Sequence, residues 1–110
     1  MKNWLLDNGH GGIVNGKYTT APSKMFQHEN GLLIEEGVIN RIIINKLAAK
    51  LSKARINYSF ITPENEDISL STRVNRANSI NAFTKNSVFV SAHCNAGGGS
   101  GFEAYTSTGE

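Results

Sequence analysis

Two of the three histidines in this sequence end apolar runs, and a pair of glutamates opens a helix-like segment between them. His10 follows "NWLLDNG" and stands between Gly9 and Gly11-Gly12, where the backbone can bend tightly and another group can approach closely. Its imidazole is thereby presented to something rather than packed in a core. His93 ends "SVFVSAH", a β-branched and aromatic run. Two neutral imidazoles supply half of a tetrahedral zinc site; a catalytic zinc takes a third protein ligand, often a carboxylate, and leaves one position for water. Glu35 and Glu36 both stand where one carboxylate can reach the histidines.

For that chemistry to assemble, the elements must bring residues far apart in sequence to one edge. "NWLLD" (3–7) reads as a short buried strand ended by Asn8-Gly9, and residues 11–35 as a polar, glycine-containing loop. "EEGVINRIIINKLAAKLSKA" carries apolar residues at 39, 43, 47 and 51, with 42, 44 and 48 alongside, which predicts a helix with a wide buried face. Lysines gather toward its end, as the helix dipole favours. "YSFITP" predicts a second strand closed by Pro63. "LSTRVNRANSINAF" predicts a second helix with Leu70, Val74, Ala77 and Ile80 or Asn81 on one side. "SVFVSAH" is the most strand-like segment, and "GFEAYTST" predicts a last strand after a glycine-rich connection at 97–101. Alternating strands and helices imply an α/β fold: a mostly parallel or mixed sheet flanked by helices. His10 and His93 then fall past the C-terminal ends of their strands, where such sheets gather ligand sites.

Composition sets the outer limits. A chain of 110 residues, 39% hydrophobic, with a formal charge of +2 fits a single globular domain with one core. Its cations are scattered and lie near acids, so no nucleic-acid partner is predicted. The single cysteine, Cys94, excludes an internal disulfide and a multi-cysteine zinc site. The N-terminal "MKNWLLDNGHGG" lacks the apolar length of a signal peptide, and no stretch approaches membrane-spanning length, so no membrane insertion is expected.

The motifs, read in order, resemble the zinc-dependent N-acetylmuramoyl-L-alanine amidases that cleave bacterial peptidoglycan. The resemblance is carried by "LLDNGHGG", by a glutamate four residues before an asparagine at a helix start ("EGVIN"), then by "DISLSTRVNRAN", "VFVSAHCNAGG" and "GFEAY". It implies Zn2+ as cofactor, with His10, Glu36 and His93 as its ligands; Glu36 is preferred to Glu35 because it precedes Asn40 by one helical turn. Asn8 stands where the family commonly has proline, a change that a turn tolerates. The family's general-base glutamate lies in a further C-terminal segment, so the resemblance implies an amidase-like zinc domain over residues 1–110 that is incomplete at its C-terminus. Within the chain, Glu103 is the candidate for that role.

The implied reaction is hydrolysis of the amide joining N-acetylmuramic acid to L-alanine. Zinc lowers the pKa of its water from about 15.7 to roughly 7, and a carboxylate must move the proton to the leaving amine. The partner would be peptidoglycan, the setting an endolysin or autolysin acting at the cell wall after export or lysis. Two rival readings share the metal: a non-catalytic peptidoglycan-binding or regulatory module, and a peptidase cutting within the stem peptide. Of the remaining residues, His28 is expected in a solvated loop, and Cys94 is expected to be a small buried residue pointing away from the metal. Arg73 and Arg76 are expected in salt bridges with Asp67 or Glu64. Asn95 is expected to orient the His93 loop, and "NAGGGSG" to shape the substrate groove.

Overall fold

A computed structural model describes residues 2–94 and 101–106. Its sheet is built from β1 (Asn3–Asn8), and β1 is followed by two small hairpins, β2 (Ile13–Val14) with β3 (Lys17–Tyr18) and β4 (Met25–Gln27) with β5 (Leu33–Glu35). Then come α1 (Glu36–Lys53), β6 (Tyr58–Phe60), α2 (Leu70–Thr84) and β7 (Ser87–Ala92). The sheet order is β6-β1-β7, and both pairings are parallel: Trp4 lies opposite Tyr58, and Asn3 to Asn8 run beside Ser87 to Ala92. The fold is thus α/β with a small sheet that is parallel throughout. No helix among the described residues is long and apolar enough to cross a membrane.

Alternation along β1 divides the core between the two faces of the sheet. Leu6 points toward α1 and packs with Ile44, Ala48 and Leu51, with Trp4, Phe60 and Val90 around them. Leu5 points the other way and packs with Ile61, Ala77 and Ile80 beneath α2. Ser69 caps α2, its hydroxyl accepting from the Thr72 N–H at 3.2 Å.

Each helix buries only part of the face that apolar spacing predicts. On α1 the buried positions are Gly37, Asn40, Ile44, Ala48 and Leu51, while Ile42 and Ile43 are about half exposed. The cause is polar: Asn40 is fully buried because its amide donates to the Gly9 carbonyl at 3.0 Å, and that bond sets the helix rotation. On α2 the inward positions are Arg73 and Ala77, and Leu70 and Val74 face outward. Here an ion pair claims the inward face. Arg73 Nη1 lies 2.7 Å from Asp7 Oδ1, both side chains being buried, and Asp7 Oδ2 also accepts from Ser91 Oγ at 2.6 Å.

Residues 11–35, read as a loop, contain the two hairpins, whose strands of two or three residues are too short to leave a periodic signal. The last strand expected at "GFEAYTST" is not formed in its described part. Residues 101–106 are all exposed, so the alternation of Phe102 and Ala104 gains no buried face to hold a strand. Most of the connection at 97–101 lies outside the described residues.

The Asp7–Arg73 pair predicts a large cost for removing one partner, because the other charge stays buried. Asp7→Asn should lower stability by about 3–5 kcal/mol in urea unfolding, a substantial part of a domain's usual 5–15 kcal/mol. A loss of less than about 1 kcal/mol would show that the pair contributes no more than an exposed one.

Candidate metal centre

The turn after β1 uses its glycines for the expected close approach, while the left-handed bend falls on His10. Gly9, Gly11 and Gly12 are outside the left-handed region; His10 itself occupies it, at φ 64°. The glycines give room instead. A Cβ at Gly9 would lie 2.5 Å from His93 Cε1 and 2.6 Å from the Ala92 carbonyl, and one at Gly11 would overlap the Thr19 hydroxyl. Left-handed backbone costs a residue with a Cβ roughly 1–2 kcal/mol, so the His10 turn must be held from outside. The Gly9 N–H donates to Ala92 O at 3.0 Å, and the Gly11 N–H to Thr20 Oγ1 at 2.8 Å. The His10 carbonyl accepts from Arg41 Nη1 at 3.0 Å and from Arg73 Nη2 at 3.2 Å. Arg73 also donates to the Asn8 carbonyl, so a side chain on α2 clamps the end of β1.

Glu36 reaches the same place from the first turn of α1. Its N–H donates to Lys24 O at 2.9 Å, and the next N–H, of Gly37, donates to the Tyr18 hydroxyl at 3.0 Å. The hairpin segment thus supplies acceptors to the start of a helix that has no side-chain cap. Gly37 lies against the backbone of Gly11 so closely that a Cβ there would overlap the Gly11 carbonyl. That approach puts Glu36 Oε1 3.4 Å from His10 Nε2 and 3.3 Å from His93 Nδ1. The rings of His10 and His93 meet edge to face, with centroids 5.1 Å apart.

His10, Glu36 and His93 each offer a ligand atom, all within 4.8 Å of one another. Two ligands about 2.1 Å from a tetrahedral ion stand roughly 3.4 Å apart, so the two imidazole-to-carboxylate separations fit zinc. Glu36 Oε1 is also held by the Cys94 N–H at 3.0 Å and the Asn40 amide at 3.4 Å. Burial pushes the Glu36 carboxyl up, but these hydrogen bonds and the two histidines outweigh it, leaving its pKa below the usual value. Burial pushes His10 down, with the neighbouring His93 adding to it against the attraction of Glu36, so His10 favours the neutral form that ligation requires.

The other site expectations fall elsewhere. Glu35 ends β5, opposite Met25, and is not in the cluster. Glu103 lies on the exposed segment 101–106, its carboxylate accepting from the Tyr105 hydroxyl at 2.7 Å. His28 is exposed, against the ring of Phe26. Cys94 corrects an expectation: it is exposed rather than buried, because β7 ends at Ala92 and strand alternation no longer turns it inward. Its thiol lies 3.5 Å from Asn40 Oδ1, and partial burial followed by Glu36's charge pushes its pKa up. Arg76 forms the expected pair with Glu64, at 2.6 Å, whereas Arg73's close partner is Asp7, with Asp67 at 3.6 Å. Asn95 and most of "NAGGGSG" lie outside the described residues.

Arg41 was not singled out by sequence. No local signal marks it, since at the sixth position of α1 it lies beyond the first turn, where the helix dipole has fallen off.

A family profile described as N-acetylmuramoyl-L-alanine amidase matches residues 5–110. No curated protein and no solved structure matches.

The Gly11–Gly37 approach predicts the sign of a substitution. Gly37→Ala should gain up to about 1 kcal/mol of helix propensity but lose about 1–3 kcal/mol to overlap with Gly11, a net destabilisation. A higher urea midpoint for this variant would show that the two backbones have room between them.

Proposed function

The chain belongs to the N-acetylmuramoyl-L-alanine amidase family, and we propose that it hydrolyses the amide between N-acetylmuramic acid and L-alanine in peptidoglycan, using zinc held by His10, Glu36 and His93. The observation that carries the reading is the convergence of these three side chains from β1, α1 and the end of β7. Bound there, zinc would supply the Lewis acidity that activates water near neutral pH and polarises an amide carbonyl.

The chain's own residues do the rest. His10, with its lowered pKa, offers a neutral Nε2 at pH 7, and Glu36 offers a carboxylate. Asn40 and the Cys94 N–H orient that carboxylate. Such outer partners fix ligand direction in metal sites generally. The glycines of the turn carrying His10 are packed against His93, Thr19 and Asn65, whereas the His93 side chain is about half exposed, so the ligands are reached by substrate from the His93 side. Proton transfer is assigned to Glu103, with Tyr105 as its hydrogen-bond partner. The place of action is the bacterial cell wall, reached after export or lysis.

A second reading, a zinc-holding module that binds peptidoglycan without cutting it, is favoured by one observation. Among the described residues no carboxylate besides Glu36 joins the histidine pair.

Purified peptidoglycan incubated with the chain should yield new L-alanine amino termini with zinc and none with a chelator. His10→Ala should abolish both zinc binding and release, and Glu103→Gln should abolish release while zinc stays bound. Zinc-loaded, folded protein that binds peptidoglycan but releases no termini supports the binding module. New termini inside the stem peptide indicate a peptidase.

A further inference from the structure

Arg41 is expensive to keep where it stands. It is half-buried on α1, and it makes no ion pair among the described residues. Its Nε is buried with no hydrogen-bond partner among them. Burial and the nearby charge of Arg73 push its pKa below the usual arginine value. As a device for stability alone it compares poorly with Arg73, which has two carboxylates beside it.

What Arg41 does have is three main-chain carbonyls from three separate segments. Nη1 donates to His10 O at 3.0 Å and to Gly37 O at 3.2 Å, and Nη2 donates to Glu64 O at 2.7 Å. The first two belong to one ligand candidate and to the residue directly after another. A single nitrogen therefore ties the turn that presents His10 to the helix start that presents Glu36. The third bond anchors this link to the loop between β6 and α2. A guanidinium suits this task because its N–H groups leave one rigid plane in fixed directions, whereas a lysine ammonium on a flexible stem does not fix the angle between its acceptors.

The geometry points to Arg41 as a positioning residue of the metal centre, one that sets the separation of His10 and Glu36 through their main chains without touching the ion. The inference rests on reading His10, Glu36 and His93 as zinc ligands. Arg41 holds the His10 carbonyl, and hence the left-handed backbone on which the imidazole direction depends. Arg73 shares that carbonyl, but its ion pair with Asp7 fixes it to the core, so Arg41 is the member of the pair whose loss should register at the metal rather than in folding.

The test measures zinc affinity by competition with a chromophoric chelator and the visible absorption spectrum of the cobalt-substituted chain. Arg41→Gln and Arg41→Lys are compared with Lys46→Gln, an exposed change on the same helix. Both Arg41 variants should bind zinc roughly 10–100-fold more weakly, as loss of an outer partner does elsewhere, and shift the cobalt bands. Lys46→Gln should do neither. Added ethylguanidinium should restore part of the affinity in Arg41→Ala. Wild-type affinity and an unchanged cobalt spectrum in folded Arg41→Gln would overturn the role of Arg41 while leaving the metal site standing; should that variant not fold, Arg41→Lys is read the same way. A wild-type chain that takes up no zinc would overturn the metal site itself, and the inference with it.

Discussion

The backbone contact between Gly11 and Gly37 is the constraint from which the site follows. No side chain fits between them, so the first turn of α1 lies directly against the turn that leaves β1. Glu36 is covalently next to Gly37, and His10 is next to Gly11. The contact therefore fixes a glutamate beside a histidine with 25 residues of sequence between them. The parallel pairing of β1 with β7 brings the second imidazole, because Asn8 lies opposite Ala92 and each strand is followed closely by its histidine. Neither histidine needs a long or flexible connection to reach the other.

Electrostatics then decide what the cluster is suited for. One oxygen of Glu36 faces two imidazoles, a main-chain N–H and an amide. The surroundings keep the carboxyl ionised and favour a neutral His10. A neutral imidazole beside a carboxylate suits a cation ligand set better than a salt bridge, which would favour a protonated ring. The positive charge in the region is set further back, on Arg41 and Arg73, and is directed at carbonyls and at Asp7 rather than at Glu36. The two arginines thus hold the framework of the site without competing for its carboxylate.

How much of this was legible in sequence depended on whether apolar or polar groups set the geometry. The three sheet strands and two helices follow from apolar runs and spacing, and so does the placement of both histidines at strand ends. The faces of the helices follow only in part. Apolar spacing predicts a wide face on α1 that includes Ile44, Ala48 and Leu51, and these are buried, but Ile42 and Ile43 stay half exposed while Asn40, bonded to Gly9, takes an inward place. In the same way Arg73, a cation, took the inward place on α2 that Val74 was expected to fill. Buried polar groups are read from their partners, and partners far away in sequence leave no local pattern. The glycines beside His10 were legible as a sign of close approach, but not that His10 would carry the positive φ itself. Glu36 was separated from Glu35 only by the family resemblance, in which the glutamate precedes an asparagine by one helical turn, and the structure brings Glu36 to the histidines. The described part of "GFEAYTST", residues 101–106, shows the opposite limit, since alternation alone forms no strand where nothing described covers either face.

The most direct test of the account is zinc K-edge X-ray absorption on the zinc-loaded chain. The account predicts only nitrogen and oxygen neighbours at about 2.0–2.2 Å, with two imidazoles, one of which disappears in His93→Ala. A sulfur neighbour at about 2.3 Å, which would place the Cys94 thiol on the ion, or a shell without imidazole, would contradict it.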